Sequence, residues 1–342
     1  MKCLLIEQGV NRGACLTLVN KNLMKRACEV TIKVNNGICE RLTKSIHLSR
    51  PEDYLSIYNS GCNHNCLKCH SSEFSKHVSG DWVSTTSLAL IAEAYLKTVT
   101  VFEPRSRATM WHAEDLCLHC GACVLYGARS EFCPQRLSPS QIVLSPQGFG
   151  PARNIAAFTG GDLTCRPDYY AQAATAIKEA TDGKLCVLIE TNGYALTKQN
   201  LTVLRDGGVD SYWLDIKAYD EATYQKLCGT SNSTVLDSLY HIVDLNFTVE
   251  VLTLYIPGMV ETDQHKQIAK LVADIDPSIP FTLLAFFPSY KLIDIRSPTF
   301  SEMISSYTAI RGEGLENIRL GNIGVFAKTN EQREIINKLR LL

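Results

Sequence analysis

No run of about 18 apolar residues occurs in the chain, so no membrane-spanning helix is expected. An excess of one charge is missing too: 34 Lys and Arg stand against 35 Asp and Glu, and the basic residues are spread out, leaving no face for nucleic-acid phosphates. The opening stretch Met1-Lys2-Cys3-Leu4-Leu5-Ile6-Glu7 meets a charge too early to be a signal-peptide core. These absences predict a cytoplasmic protein with no transmembrane segment and no nucleic-acid partner. In that compartment the 14 cysteines read as metal ligands and free thiols rather than disulfides. With 342 residues, 45% of them hydrophobic, the chain can bury a sizeable core in one large domain or two smaller ones.

A fourth cysteine is absent beside Cys62-Asn63-His64-Asn65-Cys66-Leu67-Lys68-Cys69-His70. Three thiolates spaced in this way can hold three irons of a 4Fe–4S cluster and leave the fourth iron open for a substrate or cofactor. The alternative is a zinc knuckle completed by His64 or His70. Cys117, Cys120, Cys123 and Cys133 form a second group, which has all four ligands of a closed cluster and Gly121 for the tight turn. A closed cluster relays an electron or braces its surroundings, and a structural zinc or single iron is the alternative. His112 and His119 read as solvated or supporting groups, and Cys165, Cys186 and Cys228 as core or site-lining thiols. Cys3, Cys15, Cys28 and Cys39 are too evenly scattered for a ligand pattern and read as small buried hydrophobes.

Patterning divides the chain into a β-rich N-terminal element (1–52), an α/β body (53–102 and 151–342) and a cysteine-rich insertion (103–150). Short strands are expected over residues 3–7, 15–19 and 28–34. A strand over 54–58 runs into Gly61 and the first cysteine loop, and apolar spacing predicts a helix over 86–99. Beyond the insertion, strands are expected over 154–159, 185–190, 211–216, 249–256 and 281–287. Helices lie between them: one begins near Pro167, one carries Leu201 and Leu204 up to Gly207-Gly208, one centres on Leu239, and one is capped by Thr262. Such alternation predicts right-handed crossovers and a parallel sheet, closed or partly closed into a barrel, with its site in the loops after the strands.

Those loops carry Gly160-Gly161-Asp162, Glu190-Thr191-Asn192-Gly193, Asp215-Ile216-Lys217, Cys228-Gly229-Thr230 and Tyr255-Ile256-Pro257-Gly258. With the three-cysteine loop, this ordered set resembles the radical S-adenosylmethionine (SAM) superfamily. Within it, the set resembles the activating enzymes of glycyl radical enzymes, of the pyruvate formate-lyase activase type, with a single ferredoxin-like insert. The resemblance implies an anaerobic oxidoreductase on a partial (β/α)6 barrel, in which SAM chelates the open iron held by Cys62, Cys66 and Cys69. Gly160, Gly161 and Asp162 match the motif that meets the SAM amino group, and Asn192 belongs to the neighbouring cofactor motif. Glu190 and Asp215 match acids that help hold a monovalent cation, and Lys217 lies near substrate charges. A ferredoxin- or flavodoxin-type one-electron donor is implied, as is a 5′-deoxyadenosyl radical that takes hydrogen from a carbon of a protein or hydrophobic substrate.

Four features depart from that pattern. Lys68 replaces an aromatic residue, Leu252-Thr253 replaces a SAM-binding arginine, Phe287 replaces a ribose-binding histidine, and an Asp-Gly-Pro-Gly stretch is absent. The alternatives are radical SAM modification of a small molecule, lipid or non-glycyl peptide, and a non-catalytic iron–sulfur electron carrier.

Overall fold

The computed structural model describes residues 3–339; the outermost residues of the expected N-terminal element (1–2) and C-terminal extension (340–342) lie outside it. Near-continuous apolar segments such as Ile-Ala-Ala-Phe and Val-Leu-Ile form the strands, as a parallel sheet covered on both faces requires. In chain order the strands are β1 (Leu16–Asn20), β2 (Leu23–Arg26), β3 (Ile32–Asn35), β4 (Ile38–Leu48), β5 (Leu55–Asn59), β6 (Asp81–Ser84), β7 (Val143–Ser145), β8 (Gly148–Gly150), β9 (Ile155–Gly160), β10 (Cys186–Thr191), β11 (Ser211–Asp215), β12 (Thr248–Tyr255), β13 (Phe281–Ala285) and β14 (Ile318–Gly321). The main sheet runs β14-β13-β12-β11-β10-β9-β5-β4-β3, with β6 on β4, and its two edges do not pair. From β5 to β14 every neighbouring pair is parallel. The protein is thus an α/β partial barrel with small antiparallel additions, its six expected parallel strands joined by β14 from the C-terminal extension.

Two details of the N-terminal stretch differ from expectation. Residues 3–7 are not a strand: Leu4–Glu7 is one helical turn, closed by backbone bonds from Gln8 and Gly9, which buries Leu5. Residues 28–34 divide into a turn of helix, Ala27–Val30, and β3. The helix Thr262–Ile275 begins where expected, yet Glu261 is its cap residue, and the Thr262 hydroxyl meets the Ser306 hydroxyl at 2.7 Å instead.

The insertion lies under the barrel, at the N-terminal ends of the strands. Ala108 packs with Tyr54, Ile155, Ala157 and Leu188 in a small interior core, and Met110 and Trp213 close it from the side. The Trp111 N–H donates to the Glu250 carboxylate at 2.7 Å, and the Ser211 hydroxyl donates to the Ala108 carbonyl at 2.5 Å. Fully buried Arg153 threads the segment, donating to the carbonyls of Arg107 (2.7 Å) and Thr109 (2.8 Å) and to Glu103 (2.7 Å). This end of the barrel is closed by polar contacts, so the opposite end is where a ligand can enter.

Candidate functional site

The site is built on the C-terminal edge of the sheet, where β5 gives way to the three-cysteine loop. Gly61 leaves the strand with φ +79°, a region that favours glycine, and Arg41 pins the junction from below. That arginine is fully buried; it donates to the Gly161 carbonyl at 2.5 Å and to the Tyr170 hydroxyl at 2.5 Å, and its face meets the Tyr169 and Tyr170 rings. Sequence reading did not single it out, because an arginine at alternating strand spacing looks like a solvated side chain. Gly160-Gly161 then passes so close that a β-carbon on Gly161 would stand 2.1 Å from the Gly61 carbonyl oxygen. Tight loop packing is therefore reason enough for the glycine at 161.

Cys62, Cys66 and Cys69 are all free thiols on this loop. Burial pushes the Cys62 thiol up to about 11, with Lys76 acting against it. Cys66 is lowered to about 7, chiefly because the Cys228 thiol hydrogen-bonds to it, and Lys217 and Lys76 add to the effect. Cys228 is raised by its own burial and by Cys66. The backbone shows the same closeness: the N–H groups of Asn65 and Leu67 donate to the carbonyls of Cys228 (2.9 Å) and Leu227 (2.8 Å). Cys228 is thus a site-lining thiol.

His64 cannot complete a zinc site with these cysteines. Its ring is fully buried between Tyr194 and Tyr224, Nδ1 meets Asn63 Oδ1 at 3.0 Å, and Nε2 meets the Tyr224 hydroxyl at 3.0 Å and the Thr230 hydroxyl at 3.2 Å. Among the described residues no three His, Cys, Asp or Glu side chains converge on a single ion position.

The three acids expected around SAM have different surroundings. Asp162 accepts from the Thr164 N–H and hydroxyl (both 2.8 Å), the Thr191 hydroxyl (2.6 Å) and the Asn192 N–H (3.0 Å), which joins the loops after β9 and β10. Glu190 lies deeper, with one oxygen on the Tyr54 hydroxyl (2.9 Å) and the other on the Thr159 hydroxyl (2.5 Å); burial pushes its pKa up to about 8. Asp215 forms an ion pair with Lys217 through one oxygen, while Oδ1 is buried without a partner. Burial acts against the Lys217 charge, but Asp215 and Cys66 outweigh it and raise the ammonium pKa. Asn192 donates to Asn63 Oδ1 at 2.7 Å and reaches within 4.0 Å of the Cys62 sulfur.

Two of the departures from the family pattern touch each other. The Lys68 ammonium lies 3.6 Å from the Phe287 ring centre and donates to the Ser289 hydroxyl at 2.8 Å. Burial and the charge of Lys217 lower its pKa to about 8. Leu252 is buried on β12, in register with Asp215.

Cys117, Cys120, Cys123 and Cys133 line one pocket. The N–H of the residue two places on points back at the first and last sulfurs: His119 to Cys117 at 3.3 Å and Gln135 to Cys133 at 3.4 Å. The first cysteine loop repeats this, His64 to Cys62 at 3.5 Å. His119 has a definite role, since Nε2 meets Asp53 at 2.8 Å and ties the insertion to the start of β5. His112 meets Asp115 at 2.9 Å.

The open parallel sheet carries three free cysteines on the first loop of its C-terminal edge, and the model of the Radical SAM superfamily matches residues 117–272, a stretch that begins after that loop. The family carries a 4Fe–4S cluster and SAM. A Methanocaldococcus jannaschii protein provisionally assigned as a glycyl-radical enzyme activating enzyme is 29% identical over 151 residues, 43% of this chain and 55% of that one. An uncharacterized protein of the same organism is 28% identical over 151 residues, 44% of each chain. The chain thus spans about half the length of the curated relatives it matches. Among solved structures, a domain of pyruvate-formate lyase-activating enzyme from Bacteroides vulgatus aligns with 48% of this chain and 98% of its own, at 16% identity and a TM-score of 0.41. No helix among the described residues is long and apolar enough to cross a membrane.

Proposed function

We propose that the protein is a radical SAM oxidoreductase that abstracts hydrogen from a carbon of a protein or hydrophobic substrate. The observation that carries this reading is the three-thiol loop at the open end of the barrel, with His64 locked away from it by Asn63, Tyr224 and Thr230. Cys62, Cys66 and Cys69 would hold the cluster, with Lys76 and Lys217 offsetting thiolate charge and Cys228 stabilising Cys66. When bound to the open iron, SAM supplies a carbon radical able to take hydrogen from an unactivated C–H bond. The chain's own task is to position and to exclude water. Asp215 Oδ1 is the unpartnered carboxylate oxygen at the strand ends, so it is the atom that would meet SAM or a monovalent cation. Glu190 holds its proton at neutral pH and has both oxygens occupied, which favours a supporting role. Asp162 would act through its hydrogen bonds to the Thr191 and Asn192 loop.

Cys117, Cys120, Cys123 and Cys133 would hold a second 4Fe–4S cluster. Its place under the barrel favours bracing over direct electron delivery, because the length of β5, four steps of about 3.3 Å from Leu55 to Asn59 or roughly 13 Å, stands between it and the three-cysteine loop. A ferredoxin- or flavodoxin-type protein would supply the electron. After anaerobic reconstitution and reduction, 5′-deoxyadenosine should accumulate from SAM; none with an intact reduced cluster would overturn the reading in favour of an electron carrier. Glycyl radical activation is the narrower reading, favoured by the ordered motifs. A persistent glycyl doublet in electron paramagnetic resonance with a candidate partner enzyme supports it, and deoxyadenosine formation without a doublet directs the search to other substrates.

A further inference from the structure

Four cysteines outside both motifs come together in the fold. Cys3, Cys15, Cys28 and Cys165 line one pocket, as the four cysteines of the insertion line another. Of the four scattered N-terminal cysteines Cys39 is buried as expected, while Cys3, Cys15 and Cys28 are half-buried and line this pocket with the buried Cys165. Their places are set by ordinary backbone structure. Cys3 precedes the first helical turn, the Cys15 carbonyl accepts from the Ala27 N–H at 2.7 Å, Cys28 lies in the turn that follows, and Cys165 stands between Asp162 and the helix Pro167–Ala180. All four are free thiols.

We infer that Cys3, Cys15, Cys28 and Cys165 ligate a further 4Fe–4S cluster, beside the SAM-binding loop. Two observations select a cluster over a single ion. Four thiolates on one zinc stand roughly 3.8 Å apart, from Zn–S bonds of about 2.3 Å in a tetrahedron, whereas these four line a shared pocket and, among the described residues, no three His, Cys, Asp or Glu side chains are gathered closely enough for a single ion. A 4Fe–4S cluster with four thiolates is an anion, and Arg12, Arg26 and Arg166 stand around the same cavity. Arg26 also faces Glu29 at 3.7 Å, and Arg166 pairs with Asp168. The cavity shares a wall with the three-cysteine loop: Asn63 lines it, and Gly13 approaches so closely that a β-carbon there would lie 2.5 Å from the Asn63 carbonyl oxygen. The Tyr194 hydroxyl donates to the Asn11 carbonyl at 2.9 Å, which holds the segment against the loop after β10.

This inference builds on the proposed function but is tested apart from it. Native mass spectrometry of the anaerobically reconstituted full chain should count about twelve irons and twelve sulfides, three clusters of four. Cys15→Ser/Cys28→Ser should lose four of each, and Cys62→Ala/Cys66→Ala/Cys69→Ala should lose a different four and keep this site. Cys3→Ser, at the start of a one-turn helix with little part in folding, repeats the measurement if the double variant does not fold. A wild-type count of eight irons unchanged in Cys3→Ser, or one zinc lost in that variant with no loss of iron, overturns the assignment. Failure of SAM cleavage alone leaves these counts untouched and bears only on the proposed activity.

Discussion

Glu190 shows how far a single residue's surroundings decide its chemistry. An ordinary carboxyl loses its proton near pH 4.3, whereas burial carries Glu190 up to about 8. Between those values the folded state binds a proton that the unfolded state has released, so stability falls as pH rises through this window and levels off above it. Glu190→Gln removes that slope. Its melting temperature should change less between pH 5 and 8 than that of wild type and should exceed it at pH 8.5, by on the order of 1–3 kcal/mol in stability. A wild-type profile with the same slope as the variant would show that Glu190 is ionised in the fold. Asp215 behaves differently, because Lys217 meets only one of its oxygens. Asp215→Asn should weaken SAM binding about tenfold or more by equilibrium dialysis, with a smaller effect on melting temperature. Equal losses would mark the pair as a structural ion pair.

At the scale of elements, the loops after β5, β9 and β10 are stitched together by two side chains. Asp162 accepts two hydrogen bonds from its own loop, the second of these, and two from the third, and Arg41 fastens the first to the second. Removing either leaves buried donors or acceptors without partners, which costs about 1–3 kcal/mol for each such group. Arg41→Met should therefore destabilise the protein by roughly 3 kcal/mol in chemical denaturation and lower iron retention at the three-cysteine loop, while iron in the insertion stays. Loss of stability without selective iron loss would show that Arg41 serves the core alone. The Lys68–Phe287 contact belongs to this scale as well. Two residues that depart from the family pattern form one cation–aromatic pair.

Over the whole molecule the cysteine groups occupy opposite ends. The insertion closes the floor through Ala108, Trp111 and Arg153, whereas the three-cysteine loop and the N-terminal cysteines lie at the other end. A cluster that braces the floor should bear on stability more than one that serves chemistry. Cys117→Ala/Cys133→Ala is expected to lower the melting temperature of the reconstituted protein by more than Cys62→Ala/Cys66→Ala/Cys69→Ala does, and to leave some SAM cleavage. The reverse order would assign the insertion a part in electron delivery.

The sequence by itself determined the parallel α/β architecture, because strand and helix periodicities alternate and turn residues separate them. It also marked both local cysteine groups, since side chains within a few residues of each other are read directly from spacing. Tertiary structure alone decided which distant residues meet. The helical turn at Leu4–Glu7 depends on burying Leu5 against the core, a gain that four residues of local pattern do not reveal. Arg41 reads as a surface residue until the sheet places it under Gly161. Cys3, Cys15, Cys28 and Cys165 have no common spacing, because what joins them is the fold of the N-terminal segment onto the loop after β9. Spacing records only side chains whose separation is fixed by short stretches of backbone; across 162 residues, from Cys3 to Cys165, the separation is set by packing.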